Sequence, residues 1–339
     1  MNPTTIPDIR EIEFASTGCP LCGNCDSQPF HSGHDLLHGT RGEFHLVRCI
    51  FCDHVFLNPR PTTESIGRCY PTEYAPHHLG IGEPVSQPSS IKSKLRSIPG
   101  LQRFIHWLTD SHSEFIPPVE STPKRALELG CADGRFLLRL KELDWDATGV
   151  ELSDEAAAVA RSRGFDVQSG TLESANFGDS QFDAAFAWMV VEHLHDPVST
   201  LSEIHRVLAP SGWFVFSVPN LGCWEPRVFR RYWHAYDLPR HLQHFTKTTL
   251  RNLLAETGFE LVRMIHHRTA YNITGSLGLM FRHSFPKWLG QRLLKFTDNP
   301  SIAGIIVLNP LARLLALFHQ SGMLTIVARK QAGGGRKES

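Results

Sequence analysis

The chain has 339 residues, 41% of them hydrophobic and 20% charged, which is enough for one large α/β domain plus a smaller appendage and excludes a peptide, a repeat array or a disordered tail. Lys and Arg balance Asp and Glu at 34 each, so no overall field draws the protein onto nucleic acid or an anionic membrane, and any such contact has to be local. The balance hides a split: residues 121–200 carry 7 Lys or Arg against 14 Asp or Glu, and residues 259–339 carry 11 against 3.

No apolar core follows the Met-Asn-Pro-Thr-Thr start, so a signal peptide is not expected and a reducing cytoplasm is the default compartment. The cysteines are then thiols or metal ligands. Cys19-Pro-Leu-Cys22 and Cys49-Ile-Phe-Cys52 form two C-x-x-C knuckles, a spacing that can set four thiolates tetrahedrally around a structural Zn²⁺. Neither pair opens a helix inside a βαβ unit, as a thioredoxin-type redox site would. Cys25, His31 and His54 stand nearby, but a fourth cysteine leaves them no vacancy. A zinc-ribbon-like module over residues 1–74 follows, taking much of its folding energy from the metal.

Residues 75–120 read as a linker rich in Pro, Gly and Ser, then an amphipathic helix with apolar residues at spacings of three or four from Ile91 to Leu108, kinked at Pro99. It either packs on the main domain or lies in the plane of a membrane.

The main domain is expected over 121–339. Arg125-Ala-Leu-Glu-Leu-Gly130 is a buried-strand pattern that runs into the turn Cys131-Ala-Asp-Gly134 and a helix, which makes a nucleotide-sized site at a helix N-terminus. A second strand ends at Glu151, whose carboxylate can accept both hydroxyls of a ribose at about 1.5–3 kcal/mol per hydrogen bond. The dinucleotide fingerprint would need glycines at 130, 132 and 135, and this chain has Ala132 and Arg135. Glu128 also places a carboxylate where it can meet an ammonium group, the opposite of what a pyrophosphate wants.

With Glu128-Leu-Gly-Cys-Ala-Asp-Gly134, Gly149-Val-Glu151, the run from Gln181 to Pro197 and the run from Ile204 to Trp213, the chain resembles the class I S-adenosylmethionine-dependent methyltransferases. Ala132 departs from the glycine common there. The resemblance implies an α/β fold with a seven-stranded, mostly parallel Rossmann-like sheet, its strands near 125–129, 146–151, 165–168, 182–188, 213–218, 260–266 and 323–329. It implies that Glu128, Gly130, Cys131, Ala132 and Gly134 line the methionine end of S-adenosylmethionine (SAM) and that Glu151, with Leu152 beside it, holds the ribose. Leu172 and Glu173 border the adenine, although Thr171 stands where an Asp is common, and Trp188 to His193 floor the sulfonium.

After the fifth strand a long segment ends Asp237-Leu-Pro-Arg-His-Leu-Gln-His-Phe-Thr246, on the rim where substrates bind. This pattern resembles a subgroup of bacterial methyltransferases that also carry an N-terminal cysteine zinc module. For a hydroxyl acceptor, His241 is the expected base, with His193 second, Asp237 orienting the imidazole and Arg240 holding an anionic group. His244 instead leads into a helix from Lys247.

The last two strands are separated by a helical insertion, about 268–320, where Arg282, Lys287, Arg292 and Lys295 interleave with leucines and aromatics. That pattern suits a cap over the acceptor pocket, or a surface lying peripherally on the inner face of the cell membrane. The apolar run 299–312 is too short to span a bilayer and is broken at Pro310. The function expected is methyl transfer to a small or lipid-linked acceptor, a saccharide or phenolic hydroxyl. Two alternatives stand beside it. An RNA base methyltransferase would dock through a basic zinc module, but residues 19–52 carry only Arg41 and Arg48 against Asp26, Asp35 and Glu43. A non-catalytic zinc-containing scaffold would have a degraded cofactor site, but Glu128, Gly130, Gly134 and Glu151 are all in place.

Overall fold

The structure, a computed structural model, describes residues 12–70 and 115–331. The helix expected over 91–108 lies outside them. The N-terminal part contributes five short strands: β1 (Phe14–Ala15), β2 (Ser27–Gly33), β3 (Phe44–Cys49), β4 (Val55–Leu57) and β5 (Arg60–Pro61). The main domain then runs β6 (Lys124–Leu129), α1 (Arg135–Lys141), β7 (Trp145–Glu151), α2 (Asp154–Ser162), β8 (Asp166–Ser169), β9 (Phe182–Trp188), α3 (Pro197–Val207) and β10 (Leu208–Pro219). It continues through α4 (Glu225–Phe229), β11 (Gln243–His244), α5 (Lys247–Glu256), β12 (Phe259–His266), α6 (Tyr271–Arg282), α7 (Lys287–Asp298), α8 (Ile302–Leu317) and β13 (Met323–Lys330).

Seven strands form one sheet in the order β12-β13-β10-β9-β6-β7-β8. All pairs are parallel except those of β13, which lies antiparallel between β10 and β12. This is the Rossmann-like arrangement expected, and the 182–188 strand falls where the sequence puts it; the fifth strand is longer than expected, starting at Leu208 with a register shift before Trp213. Short apolar runs make these strands because both faces are covered: Ala184, Ala185, Phe186 and Ala187 of β9 are all buried. The helices carry their own start signals. The Ser153 hydroxyl accepts from Ala156 N–H with Asp154 and Glu155 in the first turn of α2, and Asp196 caps α3 ahead of Pro197. Thr246 and Thr249 form a capping box at α5.

Chain direction across the sheet reverses between β6 and β9. From β6 the chain moves towards β7 and β8; from β9 it moves towards β10. The crevice beyond the carboxyl ends of these two strands is the topological switch point at which open α/β sheets bind ligands.

The N-terminal strands do not form a free-standing unit. Their four-stranded sheet runs β11-β4-β3-β2, so its last strand comes from the segment between β10 and α5, with Gln243 opposite Phe56 and His244 opposite Val55. Apolar residues of both parts, among them Phe44, Leu46, Leu57, Trp233, Leu238 and Leu242, share one core cluster. The insertion is helical as expected. α6 packs on the 234–236 turn so closely that a Cβ at Gly275 would lie 2.4 Å from the His234 ring, and His234 N–H donates to Ser276 Oγ at 2.9 Å.

Candidate active site

The turn after β6 is built by three left-handed residues, Gly130 (φ 71°), Ala132 (φ 45°) and Gly134 (φ 80°). Glu151, at the end of β7, is buried and ties the turn to the entry of α2: its Oε2 accepts from Ala132 N–H and its Oε1 from Ser153 N–H, both at 2.8 Å. Gly149 gives room for the turn, since a Cβ there would meet Cys131 Sγ at 2.5 Å. Glu128 and Cys131 are buried, and burial, with Glu128 and Glu151 near, pushes the Cys131 thiol up. Leu152, beside Glu151, is 70% exposed. Leu172 is buried, and Glu173 accepts from the Thr200 hydroxyl at 2.9 Å. Trp188 packs edge-on against Phe136 at 5.1 Å.

The loop after β9 comes directly over this turn. A Cβ on Gly130 would lie 2.5 Å from Val190 Cγ2, so the 3₁₀ turn Val191–His193 that follows borders the cofactor side of the crevice. Glu192 in that turn is fully buried, and neither carboxylate oxygen has a hydrogen-bond partner. Burial pushes its carboxyl up to about 8. His193 Nδ1 lies 3.1 Å from the Arg240 carbonyl and 2.9 Å from the Tyr70 hydroxyl. His241 Nδ1 lies 2.9 Å from the Ala235 carbonyl. A carbonyl can only accept, so Nδ1 of His241 carries the proton and its Nε2 keeps a lone pair, and His193 has the same tautomer where the Tyr70 hydroxyl also accepts from Nδ1. Burial holds both imidazoles below the ordinary value, His193 to about 3 with His241 adding to it, so both are neutral. One ligand atom from each of Glu192, His193 and His241 lies within 4.8 Å of the others, and the two rings meet edge to face.

Thus the two expected histidines come together, and a third group missing from the expectation joins them. Glu192 had a signal, an acid closing the apolar run Met189-Val-Val at a strand end where burial follows. Asp237 is also close, its Oδ2 3.7 Å from His241 Nε2. Burial alone would raise its carboxyl, but the Arg240 guanidinium holds it well below the usual range.

Arg240 is placed differently from the expectation. Its guanidinium is wholly buried and every N–H is used within the chain. It donates to both oxygens of Asp35 at 2.9 Å, to Asp237 at 2.9 and 2.6 Å and to the Cys69 carbonyl at 2.9 Å. No donor is left for an anionic substrate group. Arg240 is instead the pin between the N-terminal strands and the Asp237 loop. Beside it, His54 Nε2 meets Gln243 Oε1 at 2.8 Å, Arg60 donates to the His195 carbonyl and His195 Nε2 meets the Pro61 carbonyl. His244 lies in β11, edge-on to Tyr236.

Cys19, Cys22, Cys49 and Cys52 gather where β3 ends at Cys49. Their sulfurs pair at 3.5 and 3.6 Å, too far for a disulfide and close to the roughly 3.8 Å edge of a tetrahedron built on 2.3 Å Zn–S bonds. Cys25 is exposed and outside the group.

Residues 102–264 match the family model described as a methyltransferase domain. The chain is 27% identical over 172 residues to a "Probable S-adenosylmethionine-dependent methyltransferase" of Mycolicibacterium smegmatis, covering 49% of this chain and 64% of that protein. It is 29% identical over 185 residues to an O-methyltransferase of Penicillium expansum, covering 51% and 65%. The chain thus spans under two thirds of the length of these relatives. A solved SAM-dependent methyltransferase from Mesorhizobium loti is similar at 20% identity and a TM-score of 0.45, covering 67% of this chain and 98% of that one. The sheet order and the glycine turn define a Rossmann-like SAM-binding architecture. Residues 102–264 thus match a methyltransferase domain, and the strands among them lie in a sheet of Rossmann-like order.

Proposed function

We propose that this protein transfers a methyl group from SAM to a hydroxyl, phenolic or saccharide, of a small or lipid-linked acceptor seated against Glu192, His193 and His241. The observation that carries this reading is the position of that buried cluster, two residues past the Val190 side chain that touches Gly130. The names of relatives, an O-methyltransferase and, at 24% identity, a ubiquinone biosynthesis O-methyltransferase of Hydrogenovibrio crunogenus, favour oxygen as the acceptor atom.

On the cofactor side, Glu128, Gly130, Cys131, Ala132 and Gly134 would meet the methionine end and Glu151 the ribose, with Leu152, Leu172 and Glu173 at the adenine and Trp188 in the floor. The acceptor oxygen forms the new C–O bond as the methyl–sulfur bond breaks, and the sulfonium becomes a neutral thioether. The hydroxyl proton is then the one particle the protein must help remove. The cluster offers lone pairs for it on His241 Nε2, the base expected from the sequence, and on His193 Nε2, beside the Glu192 carboxyl that burial pushes up to about 8. Positioning supplies most of the rest, since in-line displacement needs the two atoms at about 3–3.5 Å. The four cysteines would hold a structural Zn²⁺, whose chemistry is to fix the two knuckles and through them β4 and β11.

The test is incubation with SAM labelled in its methyl group and a fractionated cell extract. Label is expected in a base-stable ether of the lipid or small-molecule fraction, and label confined to RNA or protein would overturn the reading. Calorimetry with SAM alone checks the cofactor half separately.

A further inference from the structure

We propose that Glu192, His193 and His241 form a divalent-cation site, separate from the four cysteines, at the acceptor end of the crevice. Three observations point there. The ligand atoms lie within 4.8 Å of one another, a few tenths of an ångström beyond the roughly 4.4 Å that two opposed bonds of about 2.2 Å to one ion span, so a small side-chain adjustment closes them on an ion. Both imidazoles are fixed through Nδ1 to a backbone carbonyl, Arg240 for His193 and Ala235 for His241, which aims their Nε2 lone pairs away from those carbonyls. This is the outer-shell arrangement that orients metal-ligating histidines. The third is Glu192: a buried carboxylate normally finds partners for its oxygens, and here neither has one.

Two imidazole nitrogens and one carboxylate suit a borderline ion such as Zn²⁺, Co²⁺ or Fe²⁺ better than Ca²⁺ or Mg²⁺, which take oxygen ligands. Three protein ligands leave positions open, and an acceptor hydroxyl coordinated there loses its proton more readily, as water does on zinc. The inference rests on the reading that the acceptor hydroxyl is activated at this cluster, and it specifies the means. The Nε2 lone pairs go to the cation, the coordinated oxygen ionises with its proton passing to solvent, and the resulting oxyanion attacks the methyl group as the sulfonium departs as a thioether.

The experiment is cobalt loading of the chelator-stripped full-length chain, followed by metal analysis and absorption spectroscopy. Wild type should take up two equivalents, one of them giving intense thiolate-to-cobalt absorption. Glu192→Gln should lose one equivalent and keep that absorption, while Cys52→Ser should lose the absorption and keep the other equivalent. A wild-type chain that binds a single equivalent, all of it with thiolate absorption, overturns the site whatever the variants do. SAM calorimetry on the same samples keeps the two readings apart: two equivalents without SAM binding would sink the methyltransferase mechanism but leave the cation site standing, and SAM binding with one equivalent would do the reverse.

Discussion

Ala132 holds φ at 45° in the turn after β6, where an L-residue is disfavoured by about 1–2 kcal/mol and glycine is not. Its amide is bonded to Glu151, so the strained conformation is over-determined by the site rather than by the residue. Ala132→Gly should therefore leave thermal stability unchanged or raise it by up to about 1 kcal/mol, while Ala132→Val should lower both stability and SAM affinity. Melting curves and calorimetry on the two variants check this, and a glycine variant that melts well below wild type would contradict it. Glu225 poses a different problem. It is buried, accepts from the Trp233 indole at 2.9 Å, and burial pushes its carboxyl from 4.5 up to about 7. Below pH 4.5 it is protonated in both folded and unfolded chains. Between 4.5 and 7 only the unfolded chain ionises, so stability falls as pH rises, by about 3 kcal/mol in all at 1.36 kcal/mol per unit, and the penalty is constant above 7. Glu225→Gln removes the ionisation and keeps an acceptor for Trp233. Its stability advantage over wild type, read from denaturant unfolding, should grow from pH 4.5 to 7 and then level; a gap independent of pH would show that Glu225 does not ionise in the unfolding reaction.

At the scale of elements, the central strands of the main sheet are legible in the sequence because they are short apolar runs between turn residues, as at 182–188, buried on both faces, whereas the edge strands β8 and β12 are exposed or half-buried at most positions. The helices from Asp154 and Lys247 announce themselves through Ser153 and Thr246. Pairing between distant polar residues has no such local signature. Arg240 meets Asp35 across 205 residues, and Gln243 meets His54 across 189, so the loop read as a substrate rim is also the fourth strand of the N-terminal sheet. The same distance explains why Arg240 reads as an anion clamp when it is a pin. Truncating it would leave Asp35 and Asp237 buried without their counter-charge, and Arg240→Ala should cost about 3–5 kcal/mol in unfolding experiments. The β4–β11 pairing also ties the cysteine knuckles to the acceptor side. Stripping metal with a chelator should raise hydrogen exchange at 46–57 and 237–244 while SAM still binds at the Gly130 turn. Equal loosening of 126–151 would mean that the N-terminal sheet supports the whole fold.

The charge split along the chain acquires a meaning at the scale of the whole molecule. The acidic stretch 121–200 builds the crevice, and the basic, apolar stretch ends in α8, which turns Val307, Leu311, Leu314 and Leu317 outward over a helix about 24 Å long while Asn309 and Ala312 face the protein. Phe285 and Trp288 are exposed at the start of α7, where Lys287, Arg292 and Lys295 are exposed too. Among the described residues no single helix is long and apolar enough to cross a membrane, and α7 with α8 would do so only as a pair bent by 84°. The arrangement fits an apolar face lying in the headgroup boundary of an anionic bilayer, each leucine adding at most about 1.5–3 kcal/mol and each nearby cation about 1 kcal/mol. If that face does bind a bilayer, a lipid-linked acceptor would reach the crevice from the same surface. The full-length chain should co-float with vesicles containing phosphatidylglycerol at low salt, more weakly at high salt, and the double variant Leu311→Asp, Leu314→Asp should stay in solution with SAM binding intact. If wild type does not float but gel filtration shows a dimer that the double variant splits, the face belongs to a second copy of the chain and the acceptor arrives from solution.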